Sequence, residues 1–96
     1  MLLDQEVYNY VLNEDLVNLK VVLDSKVPQV ILDNLLSWGI RKNKLKSIQL
    51  LLQYCANPFA SLQMNQFYLK NFGDFFTKQY LNNYISSEGN PKSANE

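Results

Sequence analysis

The strongest hydrophobic pattern in the chain lies in residues 44–58. Five residues there fall on one helical face: Leu45, Ile48, Leu51, Leu52 and Cys55. Apolar residues three and four positions apart are typical of a helix that buries one side. Pro58 then follows Asn57, and proline neither continues a helix nor favours helical geometry in the residue before it. We therefore predict a helix that ends shortly before Asn57, with Cys55 packed at the end of its buried face.

The same pattern occurs earlier in the chain, beginning at Leu16. We call the distance in sequence between the equivalent positions Leu16 and Leu45 the repeat offset. An apolar pattern that stays in register across two helices indicates an internal repeat of helix pairs, although helical periodicity alone produces part of it. The matched apolar positions are Leu16, Leu19, Val22 and Leu23 with Leu45, Ile48, Leu51 and Leu52, and Val7 and Val11 with Leu36 and Ile40.

Breaks in the apolar pattern divide the chain into six predicted helices. Asp4 is a good N-cap for the first of them, with Leu3 and Tyr8 placed as a hydrophobic staple. The distance in sequence from Asn43 to Gly73 is one position more than the repeat offset. We therefore expect the two residues in equivalent turns of consecutive helix pairs. Asparagine and glycine both tolerate the left-handed backbone that such turns often use. The predicted helices span residues 4–13, 16–25, from about 31 (or from Pro28) to 41, 44–55, 61–71 and 75–85.

A chain of 96 residues is long enough for one domain. Residues 86–96 contain no apolar side chain larger than alanine except proline, a composition typical of disorder. We predict an all-α domain over residues 1–86, a short stack of antiparallel helix pairs, followed by a disordered tail over residues 87–96.

The last predicted helices are unusually rich in aromatic residues. One interpretation, which we favour, is a bulky cap that seals the end of the helical stack. The other is an exposed anchor surface for a partner protein. The residues concerned are Phe67, Tyr68, Phe72, Phe75, Phe76, Tyr80 and Tyr84.

Residues 34–58 resemble one ankyrin repeat. In that family a first helix, a tight turn, a leucine-rich second helix and an Ala-Asn or Ala-Asp ending recur in this order. Leu36 and Gly39 fit the first helix, and Ala56-Asn57 fits the ending. The resemblance implies a stack of helix pairs that binds another protein.

The resemblance also has departures. The Thr-Pro-Leu-His opening is absent, and the repeat offset is shorter than the ~33 residues of an ankyrin repeat. Asn43 replaces the usual turn glycine, and Cys55 stands where a glycine would relieve a left-handed backbone. The resemblance is therefore to a degenerate ankyrin repeat with short turns and no clear β-hairpin fingers.

Ankyrin-like proteins bind partners through exposed first-helix positions and the adjoining turns. Trp38 lies off the Leu36 face because two residues turn a helix by about 200°, and a tryptophan beside an arginine is typical of binding hot spots. The alternative is that Trp38 is buried under the first helix pair. The matching protein-binding positions are Trp38, Arg41 and Lys42, and, one repeat offset earlier, Asn9, Leu12 and Asn13.

The net charge is zero, but the charges are divided along the chain: residues 1–33 carry −4 and residues 34–86 carry +5. This division favours an acidic protein partner at the second part, or a homo-oligomer, although a plain solvated surface explains it equally well. The basic cluster from Arg41 to Lys46 offers a weaker alternative, a nucleic-acid contact with a small footprint.

Catalytic and cofactor chemistry has little support in this sequence. The chain has no histidine and one cysteine, and its three glycines are isolated. It therefore lacks the usual base for a nucleophile, a multi-thiolate metal set and a phosphate-binding loop. Carboxylate pairs such as Glu14-Asp15 fit helix caps. We expect no enzymatic activity, no cofactor and no metal.

The remaining expectations concern location. No signal peptide begins the chain, and no apolar run reaches the ~18 residues that a membrane span requires. We expect a cytoplasmic protein, of the producing cell or of a host cell. Abundant Asn, Lys, Ile and Tyr are typical of the AT-rich genomes of viruses and some bacteria. The sequence therefore predicts a small protein-binding module that acts as an inhibitor, effector or adaptor, with self-association as the alternative.

Overall fold

The computed structural model describes residues 5–88, and within that range it contains six α-helices and no strand. The prediction of an all-α fold with about six helices is confirmed. The helices are α1 (Gln5–Leu12), α2 (Leu16–Leu23), α3 (Gln29–Arg41), α4 (Leu45–Gln53), α5 (Leu62–Phe72) and α6 (Phe75–Glu88).

The helices pack as three consecutive pairs, which we call unit 1 (α1 and α2), unit 2 (α3 and α4) and unit 3 (α5 and α6). The first helices also contact one another in the order α1, α3, α5, and α2 contacts α4. Helix α3 is thus the central element, packed against a helix of each neighbouring unit. The fully buried apolar side chains are Val7, Val11, Leu19, Leu35, Leu36, Ile40, Ile48, Leu51 and Leu81.

Units 1 and 2 repeat each other in backbone conformation as well as in apolar pattern. Glu14 (φ 53°) and Asn43 (φ 59°), which the repeat offset relates, both have a left-handed backbone in the turn within their unit. Lys26 (φ 64°) and Cys55 (φ 71°), related by the same offset, have it after the second helix. Left-handed conformations are uncommon for residues with a Cβ atom, so their recurrence at this offset supports the internal repeat independently of the apolar residues.

The hydrogen bonds of the two turns repeat at the same offset. The backbone N–H of Asp15 donates to the Tyr10 carbonyl at 2.9 Å, and the N–H of Lys44 donates to the Gly39 carbonyl at 2.9 Å. Such bonds satisfy carbonyl groups that the end of a helix leaves without a partner inside the helix.

The left-handed turn residues also connect neighbouring units. The Glu14 carboxylate accepts from the backbone N–H of Lys46 at 3.0 Å, at the start of α4. The Asn43 side-chain oxygen accepts from the backbone N–H of Asp74 at 3.1 Å, at the start of α6. The turns of units 1 and 2 therefore each supply an acceptor to the first backbone groups of the second helix in the next unit.

Unit 3 departs from the repeat at its turn. Gly73 has φ −77° and ψ 144°, so the predicted left-handed conformation is wrong at this position. The connection between α5 and α6 has two residues, whereas the equivalent connections in units 1 and 2 have three. A Cβ atom at Gly73 would lie 2.7 Å from the Leu69 carbonyl oxygen. Glycine is therefore required here by lack of space and not by a positive φ.

The prediction for Cys55 is half right. Its backbone is left-handed, as the comparison with a family glycine suggested. Its side chain is exposed, however, so the expected packing of Cys55 is wrong. The physical reason is that α4 ends at Gln53, and the chain reverses through the left-handed residue before the thiol can follow the buried face.

Several other boundaries differ from the predicted ones. Helix α2 ends at Leu23 and not near Ser25, and α3 begins at Gln29, with Pro28 as its N-cap. Helix α6 continues through Glu88, into the segment predicted as a tail. The predicted cap at Asp4, its staple residue Leu3 and residues 89–96 lie outside the described residues.

Three polar side chains are buried between the helices, and they differ in their partners. The Ser47 hydroxyl on α4 donates to the Val11 carbonyl of unit 1 at 2.8 Å. The Asn65 amide on α5 donates to the Pro58 carbonyl at 2.9 Å. The Thr77 hydroxyl on α6 makes no hydrogen bond within the described part of the chain. Buried polar groups are normally paired, so Thr77 is the exception among the three.

Candidate protein-binding groove

A groove of about 220 Å³ crosses the three first helices. It exists because α1, α3 and α5 lie side by side, so that residues far apart in the sequence become neighbours. Its lining residues are Tyr8 from α1, Asn34, Ser37, Trp38 and Arg41 from α3, and Tyr68 from α5.

Trp38 is held in this groove by contacts with unit 1. Its indole N–H donates to the Tyr8 carbonyl at 3.1 Å. The Tyr8 and Trp38 rings meet edge to face, with centroids 5.6 Å apart and an interplanar angle of 88°, an arrangement that aromatic pairs favour. Trp38 is half-buried. It therefore packs against unit 1 and still presents part of its ring to the groove, so both interpretations made from the sequence contain part of the answer.

Two cationic side chains lie over the rings of the groove. The Lys42 ammonium is 4.9 Å from the centroid of the Trp38 ring. The Arg41 guanidinium is 5.8 Å from the centroid of the Tyr68 ring. Both distances are within the range of a cation–π contact. Arg41 and Lys42 are exposed, so the groove has aromatic walls and a positively charged edge.

The six residues predicted for partner binding divide into two sets. Trp38 and Arg41 line the groove, and Lys42 lies over Trp38. Asn9, Leu12 and Asn13 belong to α1 and its turn, with Leu12 half-buried and the two asparagines exposed. Tyr8 lines the groove from α1 instead. The structure thus brings the unit 2 positions together and replaces the unit 1 positions by the neighbouring Tyr8.

Four groove residues are not among the predicted binding positions: Tyr8, Asn34, Ser37 and Tyr68. The sequence predicts Tyr8 as part of a hydrophobic staple, whereas its carbonyl and ring hold Trp38 in place. Trp38 and Tyr68 are separated by the same number of residues as Asn43 and Gly73, the turn residues of units 2 and 3. Applying that separation to Trp38 in the first helix of unit 2 would have identified Tyr68 in unit 3.

Comparison with known proteins adds no relative to this picture. No family model, no curated protein and no solved structure matches the chain. The resemblance to the ankyrin family therefore stays a prediction, and the geometry of the molecule itself is the basis for its function.

A second surface lies on unit 3, where four phenylalanine side chains are between 51% and 68% exposed. We call Phe67, Phe72, Phe75 and Phe76 the aromatic end. The interpretation as a sealing cap is wrong for these four rings, because Leu69 and Leu81 fill the buried positions of unit 3 instead. The remaining aromatic side chains of this segment, Tyr68, Tyr80 and Tyr84, are half-buried.

Two exposed ionisable groups have shifted pKa values. The pKa of Asp74 is lowered, chiefly because its carboxylate accepts from the backbone N–H of Thr77 at 2.9 Å and also interacts with Asn43. The pKa of Lys20 is raised, first by its hydrogen bond to the Tyr54 hydroxyl at 3.1 Å and then by the Asp24 carboxylate. Both arrangements connect units, and hydrogen bonding to the charged form accounts for both directions.

Residues 5–88 offer no cluster of three or more Cys, Asp or Glu side chains placed to hold a metal ion. In the same range no helix has the length and apolar character needed to cross a membrane. The groove and the aromatic end are thus the two surfaces whose composition calls for an explanation.

Proposed function

We propose that this protein is a small, non-catalytic protein-binding module that recognises an acidic segment of a partner protein in the groove across α1, α3 and α5. The observation that carries the proposal is the position of Trp38 and Arg41. A half-buried tryptophan and an exposed arginine line one groove, each in contact with a tyrosine. Tryptophan, tyrosine and arginine are the residue types most enriched in binding hot spots.

The size of the groove favours a protein side chain over a small molecule as its occupant. Its volume is about 220 Å³, whereas pockets that bind small molecules usually measure about 300–1,000 Å³. The groove is also open across three helices, which suits an extended or helical segment that inserts one side chain and continues along the surface.

The charges of the groove favour an acidic partner. The Arg41 guanidinium lies over the Tyr68 ring, and guanidinium groups in contact with a ring can still bind a carboxylate in bidentate fashion through their N–H groups. The Lys42 ammonium adds a second positive charge beside the first. Like charges at this edge would repel a basic partner and attract an acidic one. The proposed roles are inhibitor, effector or adaptor in the cytoplasm.

The test begins with capture of partners by the wild-type protein from the native cell extract and their identification by mass spectrometry. The captured partner is then purified and titrated with wild type, Arg41→Glu and Lys26→Glu. Lys26 is a matched control because it is exposed and lies in the connection between α2 and α3, outside the groove lining. We expect Arg41→Glu to weaken binding at least ~10-fold and Lys26→Glu to leave it unchanged.

Two further measurements sharpen this test. Binding should weaken as salt is raised, because exposed charges are screened. A partner variant in which the contacted carboxylate is replaced by lysine should recover binding to Arg41→Glu. Equal binding by the Arg41 and Lys26 variants would refute the groove as the recognition site.

A further inference from the structure

The two ends of the stack of units differ sharply in composition. In unit 2, Trp38 and Ser47 are residues that contact unit 1. Their counterparts in unit 1, one repeat offset earlier, are Asn9 and Asn18, and both are exposed. At these two positions the first end of the stack is polar, as the terminal units of repeat proteins usually are, although α2 also exposes Val17 and Val21. The other end carries the exposed phenylalanines of the aromatic end.

The rings of the aromatic end are close together on unit 3. Phe67 contacts Tyr68 (centroids 6.1 Å apart), and Tyr68 contacts Phe72 (6.3 Å). Phe75 and Phe76 meet edge to face at 5.5 Å. Phe72 and Phe75 flank the short α5–α6 connection, and three residues of chain span at most about 11 Å. The four phenylalanines therefore form two ring clusters, one on α5 and one at the start of α6, which meet at the α5–α6 connection.

From these observations we propose that two copies of the chain associate through their aromatic ends to form a closed, two-fold dimer. Each phenylalanine is 51–68% exposed. A whole aromatic side chain buries about 150–250 Å², so the four rings offer about 500 Å² of apolar surface. A standard interface buries about 800 Å² per partner, of which about 450–520 Å² is non-polar. The aromatic end supplies that amount by itself.

Residues 89–96 bring no large apolar side chain that could cover this surface. Residues 89–96 contain no Val, Leu, Ile, Met or aromatic residue. A second copy, by contrast, brings an identical set of rings.

The charges also suit a second copy. Lys70 and Lys78 line a cleft of about 320 Å³ between α5 and α6, and the exposed Asp74 lies between Phe72 and Phe75 in sequence. A surface that carries both signs can pair with itself, and a protein of zero net charge does not repel its copy.

Asn9 and Asn18 at the first end favour a closed assembly. Contact between the aromatic end of one copy and the first end of another would bury Asn9 and Asn18 against rings, and an unpaired buried amide is costly. Contact between two aromatic ends buries rings against rings and leaves both polar ends in water. A two-fold axis pairs the same surface of both copies, so neither copy keeps a free aromatic end and growth stops at two copies.

The experiment is sedimentation equilibrium, with light scattering in parallel, on the full chain from about 5 to about 500 µM. The mass should rise from the monomer value of 11.2 kDa towards twice that value and stop there. Phe75→Ser/Phe76→Ser should weaken the dimer at least ~30-fold. The matched control is Val17→Ser/Val21→Ser on α2, where the two valines are 76% and 64% exposed, and it should leave the dimer intact. Circular dichroism checks that each variant remains helical.

If Phe75→Ser/Phe76→Ser does not fold, Phe67→Ser on α5 provides the second test, and it should also weaken the dimer. A wild-type mass that stays at the monomer value throughout would overturn the proposal, as would growth beyond two copies or equal weakening by the valine control. Monomeric protein that binds neutral phosphatidylcholine vesicles through the same phenylalanines would replace the dimer by a lipid contact. Phe75 and Phe76 are outside the groove lining, so Phe75→Ser/Phe76→Ser should leave partner binding in the groove unchanged, and this proposal and the proposed partner groove can fail separately.

Discussion

Thr77 and Ser47 are both fully buried, and we expect their substitution to change stability in opposite directions. Each is the third residue of the second helix of its unit. The Ser47 hydroxyl donates to the Val11 carbonyl at 2.8 Å. The Thr77 hydroxyl makes no hydrogen bond among residues 5–88. The relevant substitutions are Thr77→Val, which replaces the hydroxyl by a methyl group of similar shape, and Ser47→Ala, which removes a satisfied hydroxyl.

The structure sets the expected magnitudes. A buried hydroxyl without a partner costs about 1–3 kcal/mol, and burying a methyl group in its place contributes about 0.8 kcal/mol more. Threonine and valine have similar helix propensities. We therefore expect Thr77→Val to raise the free energy of unfolding by about 1.5 kcal/mol, which corresponds to a Tm increase of about 6–12 °C in a domain of this size. Ser47→Ala should lower the free energy of unfolding by about 1 kcal/mol.

The assay is urea and thermal unfolding followed by circular dichroism, at one fixed protein concentration so that association does not alter the comparison. A loss of stability in Thr77→Val would refute the reasoning. It would show that the hydroxyl bonds to the nearby Asp74 carboxylate in solution. Unchanged stability in Ser47→Ala would likewise show that its bond to Val11 contributes nothing.

Three further predictions concern the turns. Cys55→Gly should raise the free energy of unfolding by about 1 kcal/mol, because glycine relieves the strain of a left-handed backbone (φ 71°). Urea unfolding should show no such gain for Cys55→Ala. Gly73→Ala should cost about 1–3 kcal/mol, because its Cβ would lie 2.7 Å from a backbone oxygen. Gly39→Ala should cost less, because its nearest contact is longer, at 3.3 Å from the Ile48 Cγ1. Asp74 has a lowered pKa in the folded state. Its contribution to stability is therefore present above its unfolded pKa of about 3.9 and is lost as pH falls through the folded value. Asp74→Asn should remove this dependence and flatten the acid side of a stability–pH profile measured by urea midpoints.

Each of these three has an outcome that contradicts it. Equal stabilisation by glycine and alanine at position 55 would remove backbone strain as the cause. A fully stable Gly73→Ala would mean that the α5–α6 connection has room to move. An unchanged acid profile in Asp74→Asn would assign the acid sensitivity to other carboxylates.

The sequence predicted the helices and the repeat well because both depend on local chemistry. Helical spacing of apolar residues and the proline and turn residues between them determine where helices begin and end. The repeat offset is visible in the apolar positions alone, yet it also relates the left-handed residues Glu14 and Asn43. Backbone conformation and side-chain burial follow the same period because the same turn geometry brings each helix pair together.

The groove was only partly predictable because it depends on which helices become neighbours. The positions of Trp38 and Arg41 were identified from a resemblance. The contact of Trp38 with Tyr8 joins residues 30 positions apart and has no local signal. The exposure of Phe75 and Phe76 was the less favoured of the two interpretations for a related reason. An aromatic residue in a helix is normally predicted to be buried. These rings are exposed because no further unit packs on them among the described residues.

The acceptors supplied by Glu14 and Asn43 have a consequence for how the molecule opens. Helix α4 receives no side-chain cap from its own Lys44 and relies on Glu14 of unit 1, so unfolding of unit 1 also uncaps α4. Helix α6 loses only the contact with Asn43 when unit 2 unfolds, because its own Asp74 carboxylate still accepts from Thr77. Opening is then directional: unit 3 can detach without uncapping another helix, whereas loss of unit 1 loosens unit 2 as well. At the corresponding place in unit 3 stands Gly73, which has no side chain to offer. Among the described residues, the series of side-chain acceptors supplied by the turns therefore ends at unit 3.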